Sequence, residues 1–198
     1  MVFRHTVLFR YKDSITPEQI VLQKKGLAYL AFGCPTVRAY DFGTDLFGGS
    51  TLMREVKPWK RTPLWKARAE GPICNYDVAL HEDFDDMAGF EEYGADYRNQ
   101  GVHWEVSEYN EAVCDDEFTA RADWWYDGPP INERGGVRHT SLFLWDDGVT
   151  DSQKGQAKEA LQSLRGSVPG VRRVTTGDNF GARSLVVVAS CVGVTVTI

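Results

Sequence analysis

The chain has 198 residues, 42% hydrophobic and 25% charged, a globular composition that excludes disordered and fibrous classes. With 22 Lys+Arg against 28 Asp+Glu the formal net charge is −6, which lacks the basic footprint that phosphate contacts require, so no nucleic-acid partner is expected. The longest apolar run, Leu185 to Ile198, falls short of the roughly 18 residues of a membrane span and is rich in Val and Thr. Met1 leads directly into strand-like sequence, without a charged stretch followed by an apolar core, and a cytoplasmic location is expected.

The first element is a strand. Phe3, His5, Val7, Phe9 and Tyr11 alternate with Arg4, Thr6, Leu8 and Arg10, the period of two of a pleated strand. Thr16 is an N-cap with Pro17 at the first helical position, and the helix runs to about Phe32. Val37 to Phe42 is a second strand closed by Gly43. An insertion over residues 45–74 separates it from a third strand, Tyr76 to Phe84. Asp85 and Asp86 cap a helix through Tyr97, more helix is expected to about Cys114, and Phe118 to Tyr126 is a fourth strand. The order β-α-β-β-α-β over residues 1–126 is a ferredoxin-like unit. Residues 127–136, from Asp127-Gly128-Pro129-Pro130 to Gly135-Gly136, are a linker.

A shift of 134 residues lays the start of the chain on Arg138, and Arg4-His5-Thr6 matches Arg138-His139-Thr140. The register holds without a gap through Thr16/Thr150, Gln19/Gln153, Leu27/Leu161, Pro35/Pro169 and Gly43/Gly177. It gives 15 identities in the 40 positions from Arg4 to Gly43, where chance supplies about two or three. In the second copy, residues 137–198, Thr150 caps a helix to about Arg165, and Val171 to Thr176 is a strand. Only the β-rich stretch Ser184 to Ile198 remains, so the copy lacks room for its second helix and fourth strand. The reading is α+β: tandem ferredoxin-like repeats whose sheets form an α/β barrel, the second truncated. Its truncated sheet leaves an unpaired edge, which either the pairing of the two halves or a homodimer covers.

The words His5-Thr-Val-Leu-Phe-Arg-Tyr-Lys-Asp13, Ile15-Thr-Pro-Glu-Gln19, Pro35-Thr-Val37 and Gly43-Thr-Asp45 resemble the dimeric α/β-barrel family called "stress-responsive". Tyr76 to Leu80, with Phe84 and Tyr93, is similar to that family's third strand and second helix. The resemblance covers residues 2–126 and recurs over 137–188. It implies two ferredoxin-like units with their sheets face to face, across a homodimer or within one tandem chain. Among its members are polyketide cyclases of the olivetolic acid cyclase type, in which a helix Tyr and a His act on a linear polyketide and a first-strand His lines the pocket. The resemblance places the strand His on His5 and the helix Tyr on Tyr93. The cyclases' His-Pro-x-His stretch falls on Asp96-Tyr97-Arg98-Asn99, which has no histidine, and His103 is the nearest substitute.

His5 is an isolated ionisable group on the apolar strand face of Phe3, Val7 and Phe9, and its reference pKa near 6.5 suits proton abstraction. Tyr93 suits donation to an enolate oxygen, and packing of an amphipathic helix explains it equally well. His103 is either a displaced base or a helix-surface residue. Asp96, three residues beyond Tyr93, shares its helix face. His81 is read as structural. In the insertion, Arg54, Lys57, Lys60, Arg61, Lys66 and Arg68 outnumber Glu55 and Glu70, with Trp59 and Trp65 among them. One reading is a lid that attracts an anionic or carrier-linked substrate, the other a solvated loop whose tryptophans pack on the barrel or a partner chain. Phe3, Val7, Phe9, Asp96, Trp59 and Trp65 are the candidate substrate contacts.

Cys34, Cys74, Cys114 and Cys191 form no CxxC pair and have no His at ligand spacing, so no metal is expected. No GxGxxG after a strand, P-loop or GxSxG is present. The expected activity is a cofactor-independent cyclase or lyase of specialised metabolism acting on a polyketide-like carbonyl compound. The alternatives are a non-catalytic small-molecule-binding stress protein and, by fold analogy, a barrel monooxygenase.

Overall fold

In the computed structural model the described residues are 1–45, 76–98, 101–116, 119–132, 136–146, 148–179 and 191–197. The first unit contains β1 (Val2–Phe9), α1 (Pro17–Gly33), β2 (Val37–Thr44), β3 (Val78–Phe84), α2 (Met87–Arg98), α3 (Val102–Val113) and β4 (Ala120–Tyr126). The second contains β5 (Arg138–Leu144), α4 (Asp151–Gln162), α5 (Leu164–Ser167), β6 (Arg173–Asp178) and β7 (Cys191–Thr197). Antiparallel pairing gives one sheet in the order β2-β3-β1-β4 and a second in the order β5-β7-β6.

Local chemistry sets the helix starts. Thr16 accepts a hydrogen bond from the Gln19 backbone N–H while the Gln19 side chain accepts from the Thr16 N–H, a capping box with Pro17 in the first turn. Thr150 and Gln153 close the same box before α4. Asp86 Oδ1 accepts from the Gly89 N–H at 2.9 Å and starts α2. The first strand is shorter than its alternation suggests. It ends at Phe9, and Tyr11 makes an isolated bridge to Cys114. The helix expected to reach Arg165 divides at Ser163 into α4 and α5.

Every residue of β1 is buried, because this strand is covered on both faces. On one face Val7, Phe9, Val78 and Leu80 pack with Leu27 and Leu30 of α1 and Val106 and Val113 of α3. At the other end of that face Phe3, Phe84, Phe90 and Tyr93 form an aromatic cluster with Cys34. On the opposite face Val2, Leu8, Ala120, Ala122, Trp124 and Tyr126 meet the second sheet through Leu142. The two sheets therefore lie face to face within one chain, the α+β barrel arrangement expected from the sequence. Close approach shows at Gly177 of β6, where a Cβ would stand 2.3 Å from Trp124 Cδ1.

Polar ties cross the layer between the sheets. Arg138 Nη1 meets Asp41 Oδ2 at 2.6 Å, joining β5 to β2. His81 stands between Thr6 Oγ1, 2.9 Å from Nδ1, and Thr140 Oγ1, 3.0 Å from Nε2. Burial, and then the charges of Arg4, Arg138 and His5, hold the His81 pKa well below its ordinary value. The folded protein thus keeps His81 neutral where the unfolded chain, below about pH 6.5, binds a proton there. Stability from this source is complete above that pH and lost as the pH falls below it. Urea midpoints measured between pH 7.5 and 5 are expected to drop less steeply for His81→Gln than for the wild type. Superimposable pH profiles for the two would refute the role given to His81.

The insertion, with Trp59, Trp65 and Cys74, lies outside the described residues. Cys34 and Cys114 are buried and form no disulfide among the described residues, and burial together with Asp77 pushes Cys114 up to about 12. Among the described residues no group of three or more His, Cys, Asp or Glu side chains is placed to hold a metal ion. No helix among them is long and apolar enough to cross a membrane.

Candidate functional site

The period of two turns His5 toward the helices, on the same face as Phe3, Val7 and Phe9. The sheet register then places one carboxylate on either side of it. His5 stands opposite Glu82 of β3 and opposite Asp123 of β4. The histidine read as isolated on an apolar face is flanked by two acids from strands distant in sequence. His5 Nδ1 lies 2.5 Å from Asp123 Oδ1, and His5 is buried. Asp123 Oδ1 can accept from Nδ1–H, and Nε2 is the ring nitrogen on the far side of the imidazole from the acid. The arrangement is the base-plus-orienting-acid pair that general base catalysis uses.

Tyr93 reaches the same region from α2. The ring of Phe90, one turn earlier on that helix, lies 5.2 Å from the His5 ring, and Tyr93 stacks on Phe90 and meets Phe84 at a tilt. Burial raises the Tyr93 pKa well above its ordinary value, and Glu82, by its charge and by accepting the hydroxyl's hydrogen bond, raises it further, with Tyr40 contributing. The phenol therefore stays protonated and is a donor across the physiological range. Tyr40 is held up in the same way by burial and Glu82, and its hydroxyl donates to the Leu27 carbonyl. His103, at the start of α3, stacks on Tyr93 with ring centroids 4.0 Å apart, and its Nδ1 lies 3.3 Å from the Tyr93 carbonyl.

Phe90 and Tyr93 thus link His5 to His103, ninety-eight positions further along the chain, in one run of ring contacts between the first sheet and α2–α3. Phe3 joins them, its ring 4.8 Å from Phe90. Val7 and Phe9 lie further along the strand, packed under α1 and α3. Asp96 lies on α2; its side chain, like Trp59 and Trp65, lies outside the described residues. Glu82, Asp123 and Tyr40 were missed by the sequence reading. The signal was present: each is a polar residue at an inward position of a strand, the same criterion that singled out His5. In the second unit His139 pairs with Ser141 Oγ at 2.9 Å on an exposed face.

Neither a protein-family model nor a curated protein sequence matches the chain. Among solved structures, a proposed monooxygenase from Fusobacterium nucleatum matches 99% of this chain and 75% of its own, at 10% identity and TM-score 0.56. That match shows the fold. A dimeric ferredoxin-like protein of unknown function from Thermobifida fusca is 24% identical over 62% of this chain and 89% of its own, with TM-score 0.43. The hydroxynitrile lyase of Passiflora edulis is 19% identical over 68% of this chain and 96% of its own, with TM-score 0.42.

Proposed function

We propose that the chain is an enzyme of general acid–base type that acts on a polyketide-like carbonyl compound, closing a ring by an aldol-type step or cleaving one bond. The observation that supports this reading is the His5–Asp123 pair, with Glu82 opposite His5 on β3 and the Phe90 ring in contact with both His5 and Tyr93. His5, oriented by Asp123, removes a proton next to a carbonyl, and Tyr93, turning its one proton from Glu82 to the substrate, donates to the enolate oxygen as its charge grows. His103, stacked on Tyr93, holds the phenol in place. Carbon–carbon bond formation then follows from the folding of a linear chain onto itself, an orientation effect. Proton transfer of this kind needs no organic cofactor or metal. The site is single in each chain, because exposed His139 has only Ser141 as its described partner. The cationic insertion supplies attraction for an anionic or carrier-linked substrate.

Linear triketide and tetraketide N-acetylcysteamine thioesters are suitable probes, with ring closure followed by absorbance and mass. The wild type is expected to accelerate closure, Tyr93→Phe to lose about 10²- to 10³-fold of that acceleration, and His139→Ala to retain it. Loss of turnover in His139→Ala with Tyr93→Phe unaffected would overturn the assignment. The near-complete burial of His5 and Tyr93, 6% and 3% exposed, favours a second reading, a barrel that binds such compounds without converting them. Saturable binding of the thioesters by the wild type with no ring closure selects that reading.

A further inference from the structure

The layer between the two sheets holds polar groups that the candidate site, on the opposite face of β1, does not use. Most are satisfied: Asp83 receives Arg4 Nε at 2.7 Å and Nη2 at 2.8 Å, and His81 bridges Thr6 and Thr140. Three are not. Arg4 Nη1, Trp124 Nε1 and Thr175 Oγ1 are buried and meet no hydrogen-bond partner among the described residues. Buried polar atoms are ordinarily paired, and three unmet ones in one layer require an explanation.

They converge. Arg4 and Trp124 stand opposite each other across β1 and β4, and the Arg4 guanidinium lies 4.7 Å over the Tyr126 ring. β6 runs along the same edge of β4. Arg173 Nη1 donates to the Pro129 carbonyl at 3.2 Å, and Asn179 Oδ1 accepts from the Asp123 N–H at 2.8 Å. Gly177, between these two anchors, presses on Trp124 Cδ1, the indole carbon bonded to Nε1. Thr175 precedes Gly177 by two residues, so it shares that strand face and lies between the same anchors.

The guanidinium and indole N–H groups are obligate donors, and the threonine hydroxyl can donate as well. A set that can present three donors calls for an oxygen acceptor. The set carries a charge: Nη1 belongs to the Arg4 guanidinium and is the nitrogen that Asp83 leaves unbound, which favours a negative acceptor. We propose that the intersheet layer binds a small oxyanion of the carboxylate class, received by Arg4 Nη1, Trp124 Nε1 and Thr175 Oγ1. This site is separate from the one built on His5, because Arg4 and His5 alternate on β1 and face opposite ways.

Acetate is the probe, titrated into ¹⁵N-labelled full chain, with sodium chloride at matched ionic strength as the control. One indole N–H signal, absent in Trp124→Phe, is expected to shift saturably with acetate and not with chloride. Thr175→Val, which removes only the hydroxyl, is expected to weaken acetate binding about tenfold or more, the worth of a hydrogen bond to a charged group. The wild-type melting temperature is expected to rise with acetate as binding to the folded state requires. A shift that chloride reproduces, or unchanged acetate affinity in Thr175→Val, overturns the proposal. So does the lack of a saturable shift, which leaves ordered water only. If Trp124→Phe fails to fold, the wild-type titration and Thr175→Val still decide.

Discussion

Asp83→Ala is expected to lower the unfolding free energy by about 3–5 kcal/mol, the cost of removing one partner from a buried ion pair. Asp83 accepts four hydrogen bonds: two from Arg4, one from the Tyr126 hydroxyl at 2.8 Å and one from the Ile131 backbone N–H at 2.9 Å. Arg4 and Asp83 are both almost fully excluded from water. Without the carboxylate, the guanidinium keeps its charge and loses its counter-ion in a medium that solvates it poorly. A domain stable by about 5–15 kcal/mol loses a large share of its stability in that step. The comparison pair is Arg38–Asp85, at 2.6 Å but half exposed on both sides, where Asp85→Ala is expected to cost no more than about 1 kcal/mol. Replacing both Arg4 and Asp83 by apolar residues of similar size is expected to cost far less than Asp83→Ala alone. Urea unfolding of the three variants at neutral pH checks the order. Equal losses for Asp83→Ala and Asp85→Ala would show that Asp83 does not anchor the first unit to its linker.

That anchor was not legible in the sequence, and the reason is physical. Alternation along β1 shows which residues share a face, but not whether the second face meets water or another sheet. Arg4, Thr6 and Leu8 therefore read as the neighbours of an apolar stripe, whereas the second sheet buries them as completely as Phe3 and Val7. The element types, in contrast, follow from local signals. Capping boxes at Thr16 and Thr150 and the Asp86 cap mark helix starts in the chain as in the structure. Helix ends and strand limits follow weaker signals, and β6 begins at Arg173 rather than Val171.

The candidate site shows the same division. His5 and Tyr93 were recognised one by one, each by its residue type and position. What the sequence could not supply is register. The partners of His5 depend on which residues of β3 and β4 stand opposite it, and a one-residue slip would have replaced Glu82 and Asp123 by residues of the other face. One strand thus serves two chemistries. Its odd positions carry a histidine toward the helices, and its even positions carry an arginine into the intersheet layer.

Under the proposed function, the largest effect on turnover belongs to His5. His5→Ala removes the base and is expected to reduce kcat/KM by about 10²- to 10⁴-fold, a loss of about 3–5 kcal/mol of transition-state stabilisation. Alanine also leaves Asp123 buried without its partner, so a folding defect has to be told apart from lost chemistry. His5→Asn does this, because its amide N–H can still meet Asp123 Oδ1 while offering no base of useful strength. The expected result is an enzyme that melts near the wild-type temperature and is as inactive as His5→Ala. Asp123→Asn tests the orienting acid from the other side. A carboxamide no longer fixes the proton on Nδ1, and the fall is expected in kcat with little change in KM, since the carboxylate does not touch substrate. Added imidazole is expected to restore part of the activity of His5→Ala and none of that lost by Asp123→Asn. Retention of wild-type turnover by His5→Asn would remove His5 from the chemistry and leave the buried pair as a structural tie between β1 and β4.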